Sequence, residues 1–205
     1  MTLASTQFAV ISPERLVTYR AQLATMHARF CPRQVLGLRM GLLAGQLFGV
    51  ELPCTDKHLF VFVETDGCLA DAISVSTGCW LGHRTLRLID HGKTAATFVD
   101  SETGRAFRIR PHPASRARAA ELAPPTTDRW HAQRDGYLTM PATELLVADR
   151  VELNVDPRAI ISRPSRRVEC VSCGEEIVNE REVVVDGLSR CRACTGEAYF
   201  RSVRH

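Results

Sequence analysis

Along the chain the apolar positions fall first into helical spacing and then into strand spacing. Ser12, Pro13 and Glu14 supply an N-cap, a first-turn proline and a helix-start acid, and Leu16, Tyr19, Leu23 and Met26 follow on one helical face. This pattern predicts a helix that ends near His27. A second helix is predicted to start at Cys31 and Pro32, apolar at Val35, Leu36, Leu38, Leu42, Leu43 and Leu47, with Gly37, Gly41 and Gly45 recurring along it. Glycine costs helix stability, so such a stripe implies that another backbone approaches closely.

The pattern changes at Leu59 to Val63, a continuous apolar run that reads as a central strand and delivers Glu64 and Asp66 at its end. From Gly67 to Val75 the spacing of Leu69, Ala72, Ile73 and Ser76 predicts a short helix stopping at Thr77 and Gly78. Strands follow at Leu86 to Ile89, Ala95 to Val99 and Ala106 to Arg110, separated by turn chemistry at His91 to Lys93 and Ser101 to Gly104, and the last two strands form a hairpin. Helices from Ala114 to Leu122 and from Thr127 to about Tyr137, broken by Pro124 and Pro125, precede an extended stretch from Leu145 to Val155. Trp80 and Phe98 are assigned to the core. The fold class is α+β, with helices packed on a mixed or antiparallel sheet. Residues 1–155 form the core domain, 156–167 a proline- and arginine-containing linker, and 168–205 a small cysteine-bearing domain.

A chain of 205 residues that is 45% hydrophobic is long enough for one real core plus an appendage. The net charge is only +3, and Lys57 and Lys93 are the only lysines in a set of cations otherwise made of arginine. So mild a balance does not point to nucleic acid. No apolar run is long enough to cross a membrane and the first ten residues lack a signal-peptide pattern, so the expectation is a soluble, cytosolic protein.

In a reducing compartment the eight cysteines read as ligands or reactive thiols rather than disulfides. Cys170 and Cys173 form one CxxC pair and Cys191 and Cys194 a second, 17 residues apart. Each pair can place two thiolates on one tetrahedral zinc. Ile177 to Val185 with Asp186 and Gly187 is expected to fold as a hairpin that joins the pairs, and Thr195 to Arg204 as a closing helix, giving a treble-clef-like finger. Four cysteine ligands leave no open coordination position, so the zinc is structural. With eight arginines against seven acids from Arg163 onward, the finger suits a protein partner better than DNA.

The chemistry of the core concentrates in two blocks. One runs from Glu64 through Cys68 and Asp71 to Cys79, and the other spans His27, Arg29, Cys31 and Arg33. Together with Thr77, Asp90, His91 and Lys93, these blocks resemble, in order and spacing, those of the formylmethanofuran dehydrogenase E-subunit family, over about residues 15 to 110. The resemblance implies an α+β core, a treble-clef finger, a homodimer, and a cleft with histidine and cysteine near a bound metal, associated with a molybdenum or tungsten enzyme system. It implies no particular reaction. His27, Cys31, Cys68, Cys79 and Asp71 occupy the family's histidine, cysteine and acid positions. Arg29 stands where that family's second histidine belongs and Arg33 where its glycine belongs. A guanidinium stays protonated and cannot ligate a metal, but it can bind a small-molecule anion or stabilise a thiolate.

Cys31 and Cys68 are both predicted at helix starts, where the dipole and free N–H groups lower a thiol pKa. His27, Cys31 and Cys68 fit a three-ligand site with an open position for a second divalent metal, and without metal the same thiols suit nucleophilic or redox chemistry. Glu64 or Asp71 fits a general base or an orienting partner for the histidine. Cys54, His83, His112 and His131 read as incidental, and His91 as a minor candidate. Arg105, Arg108, Arg110, Arg116 and Arg118 read chiefly as a solvated face. Three kinds of protein remain open: an enzyme acting on a small molecule, a non-enzymatic accessory protein that senses or delivers metal and contacts a protein partner, and, third in rank, a DNA-binding regulator.

Overall fold

The computed structural model describes residues 10–157, 166–201 and 203, and the chain divides into two compact units, residues 1–157 and 158–205. Most of the expected linker at 156–167 lies outside the described residues.

Unit 1 is α+β. Helices α1 (Pro13–Ala24) and α2 (Pro32–Phe48) precede strand β1 (Leu59–Val63), and α3 (Cys68–Thr77) follows it. Next come β2 (Leu86–Leu88), β3 (Ala96–Asp100), β4 (Ala106–Pro111), α4 (Ser115–Leu122), α5 (Arg129–Thr139), the single turn α6 (Ala142–Leu145) and β5 (Leu146–Val151). The strands form a mixed sheet in the order β2-β1-β3-β4-β5, with β2 parallel to β1 and every other pairing antiparallel. The register that sets Val63 opposite Ala96 and Ala96 opposite Ile109 turns one face toward the helices. There Val61, Val63, Phe98 and Ile109, all fully buried, pack with Val35, Met40, Leu69 and Ile73.

Helix α2 is buried on nearly every side, which is why its apolar residues do not form one narrow stripe. The glycine stripe supplies the close approach expected of it. A Cβ on Gly37 would stand 2.6 Å from the Leu69 carbonyl oxygen, and one on Gly41 would stand 2.1 Å from Ser76 Oγ, so α2 and α3 cross almost backbone to backbone. From the same helix Arg39, fully buried, donates to the carbonyls of Tyr137 (2.7 Å), Leu138 (3.2 Å) and Met140 (2.8 Å). A helix leaves its last carbonyls without partners, and Arg39 satisfies those that end α5.

Helix α1 stops before the expected His27. Thr25 Oγ1 donates to the Gln22 carbonyl at 2.7 Å, closing the last turn, and His27 lies in the loop beyond. Trp80, expected in the core, is 36% exposed in the loop after α3, whereas Phe98 is fully buried.

Unit 2 is built from two short hairpins, β6 (Arg167–Glu169) with β7 (Glu176–Val178) and β8 (Val183–Val185) with β9 (Leu188–Arg190). Asp186 and Gly187 join β8 to β9 with φ of 53° and 76°, the double left-handed turn that tight hairpins require. The expected single hairpin is thus resolved into two. The expected closing helix is not formed among the described residues: a three-residue 3₁₀ turn, Ala193–Thr195, ends at Gly196 with φ of 104°. Glycine there takes the left-handed conformation that terminates a helix.

Candidate functional site

In unit 1 the loop after α1, the start of α2 and the start of α3 meet. His27 Nε2 lies 2.9 Å from Asp71 Oδ2, and Nδ1 of the same ring lies 3.8 Å from Cys68 Sγ. Asp71 is in the first turn of α3 and Cys68 is its first residue, so one helical turn presents both groups to the imidazole. Cys31 is the N-cap of α2, its backbone N–H donating to Gln34 Oε1 at 2.7 Å. Burial first, and then the neighbouring Cys31 thiol, push the Cys68 pKa up. The helix start, expected to lower it, is outweighed by desolvation.

Glu64 and Cys79 take other partners. Glu64 is 7% exposed and accepts two bonds from Arg108, at 2.6 Å from Nε and 2.7 Å from Nη2, with His91 Nδ1 3.9 Å away. The Arg108 guanidinium holds its carboxyl below the ordinary range, which makes it an ion-pair partner rather than a base. Arg108, read from sequence as part of a solvated face, therefore has a structural role. Cys79 follows the far end of α3, roughly 15 Å along the helix from Cys68. It is 1% exposed, sits against the Leu59 carbonyl at 3.3 Å, and burial pushes its thiol up to about 12. Cys54 is likewise pushed up by burial, to about 11.

The two unusual arginines part company. Arg33 lines a cavity of about 680 Å³ together with Cys31, while Arg29 lines a neighbouring hollow of about 510 Å³ with Arg20, Phe30 and Trp130. The larger cavity also takes in Ser115, Arg116, Arg129 and Tyr137. Sequence reasoning missed Ser115, Arg129 and Tyr137, since nothing in local spacing brings the starts of α4 and α5 to Cys31.

In unit 2 the sulfurs of Cys170, Cys173, Cys191 and Cys194 all lie within 4.8 Å of one another. The Cys191 N–H donates to Cys170 Sγ at 3.2 Å, and the Cys194 N–H to Cys191 Sγ at 3.4 Å. The first of these bonds draws the Cys170 thiol down to about 6. Val171 N–H donates to the Ser189 carbonyl at 3.0 Å, tying the first pair to the hairpin that carries the second. Four convergent thiols supported by N–H donors fit a tetrahedral metal ion. Among the described residues this is the only group of three or more histidine, cysteine or acidic donors so gathered, and His27, Cys31 and Cys68 do not form a second one.

The α+β unit, with His27 set against Cys68 and Asp71 at the start of α3, is accompanied by a small unit whose four convergent cysteines can hold a metal ion. A family model described as "FmdE, Molybdenum formylmethanofuran dehydrogenase operon" matches residues 26–147. The chain belongs to that family. A crystal structure of a tungsten formylmethanofuran dehydrogenase FmdE-like protein from Syntrophus aciditrophicus shares the fold, with a TM-score of 0.56 and 19% identity over 97% of this chain and 100% of that one. A protein of Archaeoglobus fulgidus described as a probable S-adenosyl-L-methionine-binding protein is 29% identical over 195 residues. That match takes in 84% of this chain and 51% of the relative, so the chain spans about half the relative's length. No helix among the described residues is long and apolar enough to cross a membrane.

Proposed function

We propose that unit 1 carries a thiol–imidazole site for a small molecule, serving a molybdenum or tungsten enzyme system, and that unit 2 is folded around a structural zinc. The observation behind the first statement is the His27 ring, clamped by Asp71 on one nitrogen and facing Cys68 with the other. With Asp71 accepting from Nε2–H, the Nδ1 lone pair is directed at the Cys68 thiol and can take its proton, leaving a thiolate beside an imidazolium. Cys31 is the second thiol of the site. The same nitrogen and sulfur donors are those a thiophilic divalent metal selects, and a bound ion would hold the thiols as thiolates.

Metal analysis separates these possibilities. Two ions per chain in the wild type and one in Cys31→Ala/Cys68→Ala would place a second metal on the core group, whereas one ion in both proteins leaves the thiol–imidazole pair acting alone. In that second case Cys68 should react with iodoacetamide more slowly in His27→Ala than in the wild type. An unchanged rate would end the pairing of His27 with Cys68. The Archaeoglobus relative makes S-adenosyl-L-methionine a ligand to titrate against the same proteins.

A non-enzymatic accessory role is favoured by one feature of unit 2. Tyr199 is 97% exposed and Phe200 57% exposed, with ring centroids 5.2 Å apart, beside a closed four-cysteine site. Such a pair suits a protein partner. Turnover of any small molecule that depends on Cys68 would decide for the enzyme.

A further inference from the structure

We infer that the cavity beside Cys31 is a binding site for a phosphorylated small molecule. Arg33, Arg116 and Arg129 line it, no carboxylate does, and none of the three guanidinium groups has a hydrogen bond, ion pair or ring contact among the described residues. Several other arginines of unit 1 are engaged: Arg108 by Glu64, Arg118 by Glu121 and Glu144, Arg134 by Asp135, and Arg39 by carbonyls. Three unneutralised guanidinia around one hollow repel one another, and an anion of charge two or more relieves that repulsion.

A second and independent observation points the same way. Ser115 and Tyr137 are each only 2% exposed and both line the cavity. Neither hydroxyl has a hydrogen-bond partner among the described residues, and neither oxygen is fully buried. Each hydroxyl keeps free donor and acceptor capacity that a ligand oxygen in the cavity can take up. The cavity is also bounded by the first turns of α2, α4 and α5, through Arg33, Arg116 and Arg129.

Size and walls narrow the ligand class. About 680 Å³ is far more than a bare phosphate fills and lies in the range of organic ligands. Leu36, Pro111 and Trp130 supply apolar surface for an organic body. A monocarboxylate would leave two of the three cations uncompensated, whereas a phosphate monoester offers the charge and three acceptor oxygens. The Cys31 thiol then lies against the bound molecule. This site stands whether or not the His27 group holds a metal, and metal content measured on the same samples keeps the two questions apart.

The test is calorimetric titration of the full-length protein with adenosine monophosphate and with pyrophosphate at low ionic strength. The expected result is saturable binding that weakens with added salt and falls about tenfold or more for each guanidinium removed, in Arg33→Gln, Arg116→Gln and Arg129→Gln. All three side chains are exposed, so the variants should keep the wild-type circular dichroism spectrum. Arg20→Gln/Arg29→Gln, which alters only the neighbouring hollow, should bind as the wild type does. Absence of wild-type binding to both probes, binding unchanged in the three single variants, or equal loss in the Arg20/Arg29 control would each overturn the assignment.

Discussion

Glu64 shows how a residue can be conspicuous in sequence and yet take a different part in the structure. Its place at the end of β1, four residues before Cys68, suggested a catalytic or orienting acid. Its bidentate partner Arg108 lies 44 positions away on β4, brought near only because β3 separates the two strands, and no local pattern reveals that. The partner of His27 was within reach of sequence, because an acid in the first turn of a helix that begins at Cys68 must share a face with that thiol. The Glu64 pair makes a pH prediction. The carboxyl is held below its ordinary value of 4.5, so its stabilisation is fully present above that pH and is lost as pH falls below it. Glu64→Gln should lower stability by about 1 to 3 kcal/mol at neutral pH, leaving Arg108 with a weaker acceptor. In urea melts the wild-type midpoint should fall more steeply below pH 4.5 than that of the variant. Parallel pH profiles would remove the ion pair from the stability of unit 1.

At the scale of elements, the α2–α3 crossing was the most legible feature, since three glycines on one helix face have few physical explanations other than a close neighbour. What the stripe did not disclose was which helix fills it. That depends on β1 turning the chain back so that Leu69, Ala72 and Ser76 meet Gly37 and Gly41, while Gly45 meets Val50 and Leu52. Element ends were less legible, because they rest on single side-chain bonds such as Thr25 to Gln22, and on Gly196 adopting a left-handed conformation where helical composition suggested continuation. The crossing predicts a cost that runs against helix propensity. Gly37→Ala should gain about 1 kcal/mol of intrinsic helix stability, but its methyl would press on the backbone oxygen of Leu69 at 2.6 Å, which cannot rotate away. Overpacking of this kind costs about 1 to 3 kcal/mol, leaving a net loss of roughly 1 kcal/mol. Because α3 must shift, His27, on a different element, should also lose its fixed distance to Asp71 and Cys68. A fall in thermal midpoint together with altered Cys68 alkylation is the expected result, and a Gly37→Ala variant as stable as the wild type would show that the two helices separate freely.

At the scale of the whole molecule the two units are stabilised by different physics. Unit 1 buries two connected sets of apolar side chains from α1, α2, α3 and the sheet, each fully buried Leu, Ile or Val contributing about 1.5 to 3 kcal/mol. In the described part of unit 2 only Cys170 and Ile177 are buried apolar residues, with three-residue strands that cannot stand alone. With the structural zinc proposed for it, unit 2 takes its stability from the cross-link among four thiolates, so metal binding and folding there are one equilibrium. Zinc removal with 1,10-phenanthroline should therefore raise deuterium uptake across residues 166–200 and leave the core residues of 10–157 protected. Restoring zinc should reverse the change, and Cys173→Ser should reproduce it without chelator. Full protection of 166–200 after the metal is gone would mean that the hairpins hold without it. Simultaneous opening of α2 and α3 would mean that the stability of unit 1, despite its own core, depends on the metal.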